Sequence, residues 1–222
     1  MWLVVPCLLG AGELETARDR QDRVTLQKMA EQAGTAAQAK SQDAATQYRY
    51  ALSESMLAEV AMEVKDKEAS RTASERGIAA AQKAVALSGQ NAEYHRLLGT
   101  LCGQVIPAAG VLGGMKWGRC ALDEINKAIE LDPKLATAYL SRGVGNYYMP
   151  AQFGGGADKA IGDFQKALQL DPKLSDAYLW MGIAYRKLNK TPEAGAALAK
   201  ALQLNPQRVW TKQQIEKTPG AK

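Results

Sequence analysis

The chain contains few aromatic residues and no run of β-branched residues. Phe, Trp and Tyr make up only 6% of its 222 residues, whereas apolar residues as a whole reach 46%. That apolar fraction is enough for a substantial core and argues against global disorder, and the abundant Ala, Gln, Lys and Glu favour helices. The composition therefore predicts an all-α protein.

Concentrated charge is also missing. The 28 Lys and Arg residues outnumber the 23 Asp and Glu residues by five, and the tightest basic groups are pairs such as Arg186-Lys187. Nucleic-acid binding normally shows a concentrated basic patch, so we expect no nucleic-acid partner. Beyond the N-terminus, no stretch approaches the ~20 consecutive apolar residues of a membrane-spanning helix.

Residues that carry chemistry are scarce. His95 is the only histidine; it falls where we expect a packed core side chain, and without a second histidine the usual zinc clusters are out of reach. Cys102 lies two helical turns away at another expected core position, which disfavours a nucleophilic pair. The glycines before Lys159 in "FGGGADKA" lack the spacing of a phosphate loop and indicate an inter-helix loop. We therefore expect no enzyme, no catalytic residue, no metal and no cofactor.

The first twelve residues are mostly apolar and end in small residues, as the end of a secretory signal does. We interpret residues 1–12 as a possible signal remnant and expect a periplasmic or otherwise exported bacterial protein, with a cytoplasmic location as the alternative. Export would remove Cys7 and leave Cys102 and Cys120. These two either form a disulfide or serve as small core residues.

One phrase occurs twice almost letter for letter. "AIELDPKLATAYL" at 128–140 returns as "ALQLDPKLSDAYL" at 167–179, and a weaker echo, "ALQLNPQRVW", follows at 201–210. Pro172 and Pro206 are 34 residues apart, and Pro133 and Pro172 are 39 apart. A period of 34 is typical of a helical pair that covers its apolar face with a copy of itself.

The most regular copy, 175–206, resembles the tetratricopeptide repeat (TPR) family. Arg142 and Asn146 depart from the family pattern, where a large apolar and an aromatic residue are usual. The resemblance rests on Tyr178, Met181, Gly182, Tyr185, Ala194, Leu198, Ala201 and Pro206, on Tyr139, Gly143, Ala160, Phe164, Ala167 and Pro172 one unit earlier, and on His95, Leu98, Gly99, Ala121, Ile125, Ala128 and Pro133 before that.

Glycine and alanine positions support the resemblance on physical grounds. Gly99, Gly143 and Gly182 remove side chains where the first helix of a unit meets the second, so two antiparallel helices can approach closely. Larger residues such as Phe164 and Leu198 then fill the remaining groove.

We therefore predict an α-solenoid of antiparallel helix pairs, a TPR-like superhelix of about three and a half repeats with a terminal capping helix. Its expected segments are an N-terminal helical segment at 13–42, a degenerate unit at 43–91, units at 92–135, 136–174 and 175–208, and a cap and tail at 209–222.

Two units are longer than the repeat requires. About ten residues are added within 103–120 and about five within 149–160, in both cases between the two helices of a unit. Both insertions are thus expected on the same rim, which often marks a working face.

The resemblance implies that the first helices line a concave face that grips a peptide or helix of a protein partner. This face would be an apolar stripe with an aromatic and basic edge, which suits an amphipathic segment; the Lys, Asn and Arg that clamp a carboxylate in chaperone-binding relatives are missing. The candidate partner-binding residues are Arg96, Thr100, Leu140, Val144, Tyr147, Tyr148, Leu179, Ile183, Arg186 and Lys187.

Other interpretations remain open at this stage. The terminal helix or an insertion can cover the stripe and turn it into ordinary core. The two insertions can instead close the groove around a small hydrophobic ligand, or the chain can assemble end to end into a homo-oligomer.

Overall fold

The computed structural model describes residues 11–218 and 220, without the side chains at 11, 111 and 112. Residues 1–10, which hold most of the predicted signal remnant and Cys7, lie outside that part. All regular structure within it is helical, which confirms the predicted class. The helices are α1 Ala11–Asp19, α2 Arg23–Ala39, α3 Ala44–Glu63, α4 Lys67–Leu87, α5 Ala92–Val105, α6 Gly110–Leu131, α7 Ala136–Tyr148, α8 Ala157–Leu170, α9 Ser175–Lys187, α10 Thr191–Leu204 and α11 Val209–Glu216.

Successive helices pair as antiparallel hairpins, from α3–α4 to α9–α10, and each hairpin packs on the next. Glycines permit the close approach within a hairpin. A Cβ on Gly99 would lie 2.6 Å from Ile125 Cγ1, and one on Gly182 would lie 2.7 Å from Leu198 Cγ. The solenoid therefore depends on an absent side chain in the first helix facing a large one in the second.

The repeated phrase forms the same turn in both of its copies. The side chains of Asp132 and Asp171 each accept a 2.9 Å hydrogen bond from the backbone N–H two residues on, at Lys134 and Lys173. Pro133 and Pro172 sit inside these turns, where proline cannot continue the preceding helix. The phrase thus encodes the end of one hairpin and the start of the next.

Both ends of the array carry additional helices. Helix α11 packs Trp210 and Ile215 against Leu179, Ile183 and Leu198, as expected of a terminal cap. At the other end, one N-terminal helix was expected but the structure has two, α1 and α2. They turn sharply at Gln21, whose φ of 56° is left-handed.

Polar side chains link the two helices of several hairpins. Arg142 and Asn146, the two departures from the repeat pattern, both donate to Asp163 Oδ atoms, Asn146 at 2.7 Å. His95 is buried and contacts Glu124 Oε2 at 2.6 Å and the Gly89 carbonyl at 3.0 Å. The unusual residues are therefore structural, and the only histidine is a core residue with both ring nitrogens engaged.

The two insertions take different forms. The first, within 103–120, forms a short 3₁₀ turn at Ile106–Ala108 and then lengthens α6 at its N-terminus, instead of making a loop. The second is a loop with a 3₁₀ turn at Ala151–Phe153; Gly154 and Gly156 have φ of 84° and 108°. The "FGGG" glycines therefore serve chain reversal.

Cys102 of α5 and Cys120 of α6 form a disulfide bond. Of the two alternatives that the sequence leaves open, the structure has the pairing. The bond ties the middle of α6 to the buried face of α5 and closes a loop across a sequence separation of 18 residues.

Substitution of Gly143 tests the close approach of α7 and α8. A Cβ at this position would meet the Phe164 ring, with Cδ1 at 2.7 Å, so we expect Gly143→Ala to cost about 1–3 kcal/mol of unfolding free energy in urea titrations. The matched control is Gly145→Ala in the same helix, where a Cβ meets nothing within 4 Å. It is expected to be neutral or to stabilise by up to ~1 kcal/mol. Equal effects of the two substitutions would contradict this account.

The disulfide predicts a second stability effect. We expect Cys120→Ser to lower the free energy of unfolding by about 3 kcal/mol, because the open loop restores entropy to the unfolded chain. Wild-type protein in a reducing agent should show the same loss, and thiol counting on the oxidised, denatured chain should find Cys102 and Cys120 blocked. Two free thiols at these positions would exclude the bond.

Candidate partner-binding site

The inner face of the array is built from the first helices of the hairpins. Helices α3, α5, α7, α9 and α11 contact one another in succession. Hydrogen bonds join their inward polar side chains, such as Thr100 Oγ1 to Ser141 Oγ at 3.0 Å and Ser55 Oγ to Gln104 at 3.1 Å. The candidate residues predicted from the sequence all lie on α5, α7 and α9.

The α5 candidates are engaged within the protein. Arg96 donates to Glu93 at 2.7 Å and to Thr100 at 3.3 Å, and its side chain is only 12% exposed. Glu93 in turn accepts from the Tyr48 hydroxyl at 3.0 Å. Arg96 and Thr100 are therefore hydrogen-bonded to neighbouring side chains of the protein itself, in the polar part of the inner face.

Three of the four α9 candidates, Leu179, Ile183 and Arg186, are covered, which corrects the expectation that they are exposed. Leu179 and Ile183 are 0% and 5% exposed because α11 packs over them. Arg186 donates to Gln214 Oε1 at 2.7 Å and to Thr218 Oγ1 at 2.9 Å, so it fastens the end of α11. For this part of the stripe, the covered-core interpretation is correct.

The α7 candidates are more accessible. Leu140 and Val144 are partly buried against the cluster around Phe164, and Tyr147 is partly buried beside them. Tyr148 is 57% exposed. Together with Lys187 of α9, which is exposed and donates to the Tyr147 carbonyl at 2.9 Å, they form a continuous surface.

Two tryptophans that sequence reasoning missed extend this surface. The Trp180 ring lies 5.7 Å from the Tyr147 ring, 5.9 Å from that of Tyr148 and 5.1 Å from that of Trp210, all at edge-to-face angles. The Lys187 ammonium sits 4.3 Å above the Tyr147 ring. We call Tyr147, Tyr148, Trp180, Trp210 and Lys187 the aromatic cluster. Tyr147 and Tyr148 were the sequence signal for it, and Trp180 follows Leu179 directly.

The two ends of the array meet at a buried arginine. Arg208, just before α11, is 1% exposed, and its guanidinium donates to Glu63 and, at 2.7 Å, to Glu59 at the end of α3. Arg18 of α1 pairs with Asp176 of α9 at 2.8 Å. The chain thus connects its first and last helices through charges.

Further hydrogen bonds join the same two ends of the array. Asn205 donates to Asp19 at 2.6 Å, Arg20 donates to Gln207 at 3.1 Å, and Gln213 donates to Gln21 at 3.1 Å. We call these contacts, with those of Arg18 and Arg208, the closing seam. No feature of the sequence pattern indicated it.

Burial changes the acid–base behaviour of the seam. Loss of water and the nearby Glu59 raise the pKa of Glu63 to about 7, although Arg208 opposes the change. Burial acts on Asp176 in the same direction, but Arg18 and Arg208 outweigh it and hold the pKa of that carboxyl below its usual value. Glu63 therefore gains or loses its proton close to neutral pH, well above the range of an ordinary glutamate.

Other kinds of site find little support in the part of the chain described. No group of three or more His, Cys, Asp or Glu residues there is arranged to hold a metal ion. None of its helices is long and apolar enough to cross a membrane. The arrangement on the inner face offers aromatic surface, one exposed ammonium and hydrogen-bonding groups, which is the chemistry of a docking surface.

Comparisons with known proteins agree with this architecture. Residues 155–214 match a tetratricopeptide repeat model. A tetratricopeptide protein of Thermus thermophilus, TTC0263, is 18% identical with a TM-score of 0.64, over 91% of this chain and 98% of that one. PilF of Pseudomonas aeruginosa is 17% identical with a TM-score of 0.50, over 76% and 67% of the two chains. At these identities the likeness concerns the fold, and the chain is a tetratricopeptide-repeat solenoid.

A second family model gives the particular family. Residues 12–150, more than half of the chain, match the model described as regulator of microtubule dynamics protein 1-3, and the chain belongs to that family. No curated protein matches the chain significantly. Tetratricopeptide folds generally mediate protein–protein contacts and are generally non-enzymatic.

Removal of Arg208 tests the closing seam. Arg208→Ala leaves Glu59 and Glu63 without their counter-charge, so we expect a loss of about 3 kcal/mol or more in unfolding free energy at neutral pH. The matched control is Arg20→Ala, which removes an exposed guanidinium from the same seam and should cost no more than about 0.5 kcal/mol. Similar losses from both substitutions would mean that Arg208 is not a buried ionic anchor.

Proposed function

We propose that the chain is a non-enzymatic scaffold or adaptor that binds a peptide or helix of a partner protein on its inner face. The observation that supports this proposal is the aromatic cluster next to Leu140 and Val144. A row of edge-to-face rings offers a large contact area at low entropic cost, and such rings are common anchors of protein interfaces. The binding surface is the α7 part of the predicted stripe, extended by Trp180.

The chemistry of this surface defines the partner segment. Apolar side chains on one face of a helix, spaced three and four residues apart, suit the rings and the neighbouring leucine and valine. Lys187 is exposed at the edge of the cluster and favours an acidic residue at the end of the segment. We therefore propose an amphipathic segment with an acidic flank.

We also propose that the chain works outside the cytoplasm, in the periplasm or a comparable oxidising compartment. The Cys102–Cys120 disulfide supports this location, because such bonds are rare in reducing compartments. The thiol state of the two cysteines in freshly trapped cells would test it. Reduced cysteines in the native cells would favour the cytoplasmic alternative.

A display selection tests the binding proposal with the purified chain. We expect peptides selected from a random library to carry apolar residues at helical spacing followed by acidic ones. Tyr148→Ser should weaken their binding about tenfold, because it removes the most exposed ring of the aromatic cluster.

The matched control is Phe153→Ser. Phe153 is 72% exposed on the neighbouring turn but lies outside the aromatic cluster, so its loss should leave the affinity unchanged in calorimetric titrations. Peptides that bind equally to wild type and Tyr148→Ser, or that depend on Phe153, would reject this surface as the binding site.

A further inference from the structure

We propose that the closing seam is a reversible gate, whose opening parts the two ends of the array and changes the inner face beside the surface where a partner binds. This inference rests on the proposed function, because it concerns the regulation of the same surface. Three properties of the seam support it: its polarity, its charge balance and its connection to the aromatic cluster.

The seam is polar, whereas successive hairpins share apolar clusters in addition to their hydrogen bonds. Helix α1 turns Leu14 and Ala17 toward the N-terminal core around Met29 and Met56. Toward the C-terminal end it presents Arg18, Asp19 and its continuation Arg20. No apolar cluster among the described residues contains side chains from both ends. Parting the ends therefore exposes mainly groups that water can solvate, at low hydrophobic cost.

The charges of the seam are incompletely balanced. Four carboxylates, those of Asp19, Glu59, Glu63 and Asp176, surround the two guanidiniums of Arg18 and Arg208. Asp176 Oδ1 and Arg208 Nε are buried without a hydrogen-bond partner. Incomplete satisfaction of buried polar groups costs free energy that opening would recover. The closed state therefore combines a few strong ion pairs with this unfavourable cost.

The direction of the pH effect follows from Glu63, which faces Glu59 on its own helix, Arg208 before α11 and the Gln21 amide. In the closed state its pKa is raised to about 7 from an ordinary 4.5, and opening restores water to it. The closed state therefore binds a proton that the open state releases. Closure is strongest below the open-state pKa and weakens as pH rises toward 7, whereas the lowered pKa of Asp176 acts only in more acidic solution.

The seam adjoins the binding surface directly. Asp176 lies one helical turn before Trp180 on α9, and Arg208 lies two residues before Trp210, with its guanidinium 5.7 Å from that ring. Withdrawal of Arg208 from Glu63 would therefore remove the end of α3 from the neighbourhood of Trp210. Opening would change the inner face at the point where the partner is proposed to bind.

A distance measurement on the full chain tests the gate. Spin labels are placed at Gln32→Cys on α2 and Ala199→Cys on α10, both exposed positions, in a Cys7→Ser background that keeps the disulfide. We expect one short distance at about pH 5 and a second, longer distance at about pH 8. The closed-to-open ratio should fall by up to tenfold per pH unit until the pH reaches the raised pKa of Glu63.

Two variants serve as controls. Glu63→Gln keeps the shape and removes the titrating group, so its distances should not change between the two pH values. Arg208→Met should populate the long distance at both, with helical circular dichroism retained. A single wild-type distance at both pH values, or a pH response that survives in Glu63→Gln, would overturn the proposal.

The measurement contains no partner, so its outcome is independent of the binding experiment. A seam that never opens leaves the peptide selection and its Tyr148→Ser control as they stand. If the seam opens but the selection yields no peptide, the gate stands and the proposed helical partner is rejected.

Discussion

The architecture depends on a steric constraint inside each hairpin, namely that the first helix must lack a side chain where the second carries a large one. Gly143 against Phe164 and Gly182 against Leu198 meet this constraint in consecutive units. Close approach within a hairpin leaves one apolar face uncovered, and only another hairpin of the same shape covers it. The array, its turns and its terminal cap all follow from that requirement.

The closing seam adds a second level of organisation. An open solenoid keeps its ends apart, and its inner face is a continuous groove. Here Arg18 and Arg208 join helices from the two ends, while α11 covers Leu179 and Ile183. The accessible part of the predicted stripe is thereby reduced to its α7 part, beside the aromatic cluster. The candidate site therefore depends both on the residues that α11 covers and on those that α7 leaves accessible.

Sequence reasoning succeeded where the determinants are local. The spacing of Pro133, Pro172 and Pro206 and the placement of Gly143 and Gly182 record contacts within one hairpin or between neighbours, so the fold class, the turns and the cap were predictable. Trp180 was not predicted as part of the site, because the repeat pattern indicates Leu179, the residue beside it, as the inner-face position.

The seam was not predictable for a different physical reason. Arg208 reads as an ordinary surface residue after a proline, and its burial depends on the accumulated rotation of every hairpin between α3 and α11. Arg18 and Asp176 are 158 residues apart, and no periodicity relates them. The burial of Leu179 was not predictable for the same reason, because it depends on how α11 folds back over α9.

The seam also alters how the chain is expected to reach its native state. Repeat arrays fold by local propagation, and their end units fray first because each has one neighbour instead of two. Contacts that span 145 to 192 residues raise the average sequence separation of interacting residues, which slows folding in general. They also give the terminal helices a second neighbour. The molecule should therefore lose structure as one cooperative body, in contrast to the end-inward melting of an open array.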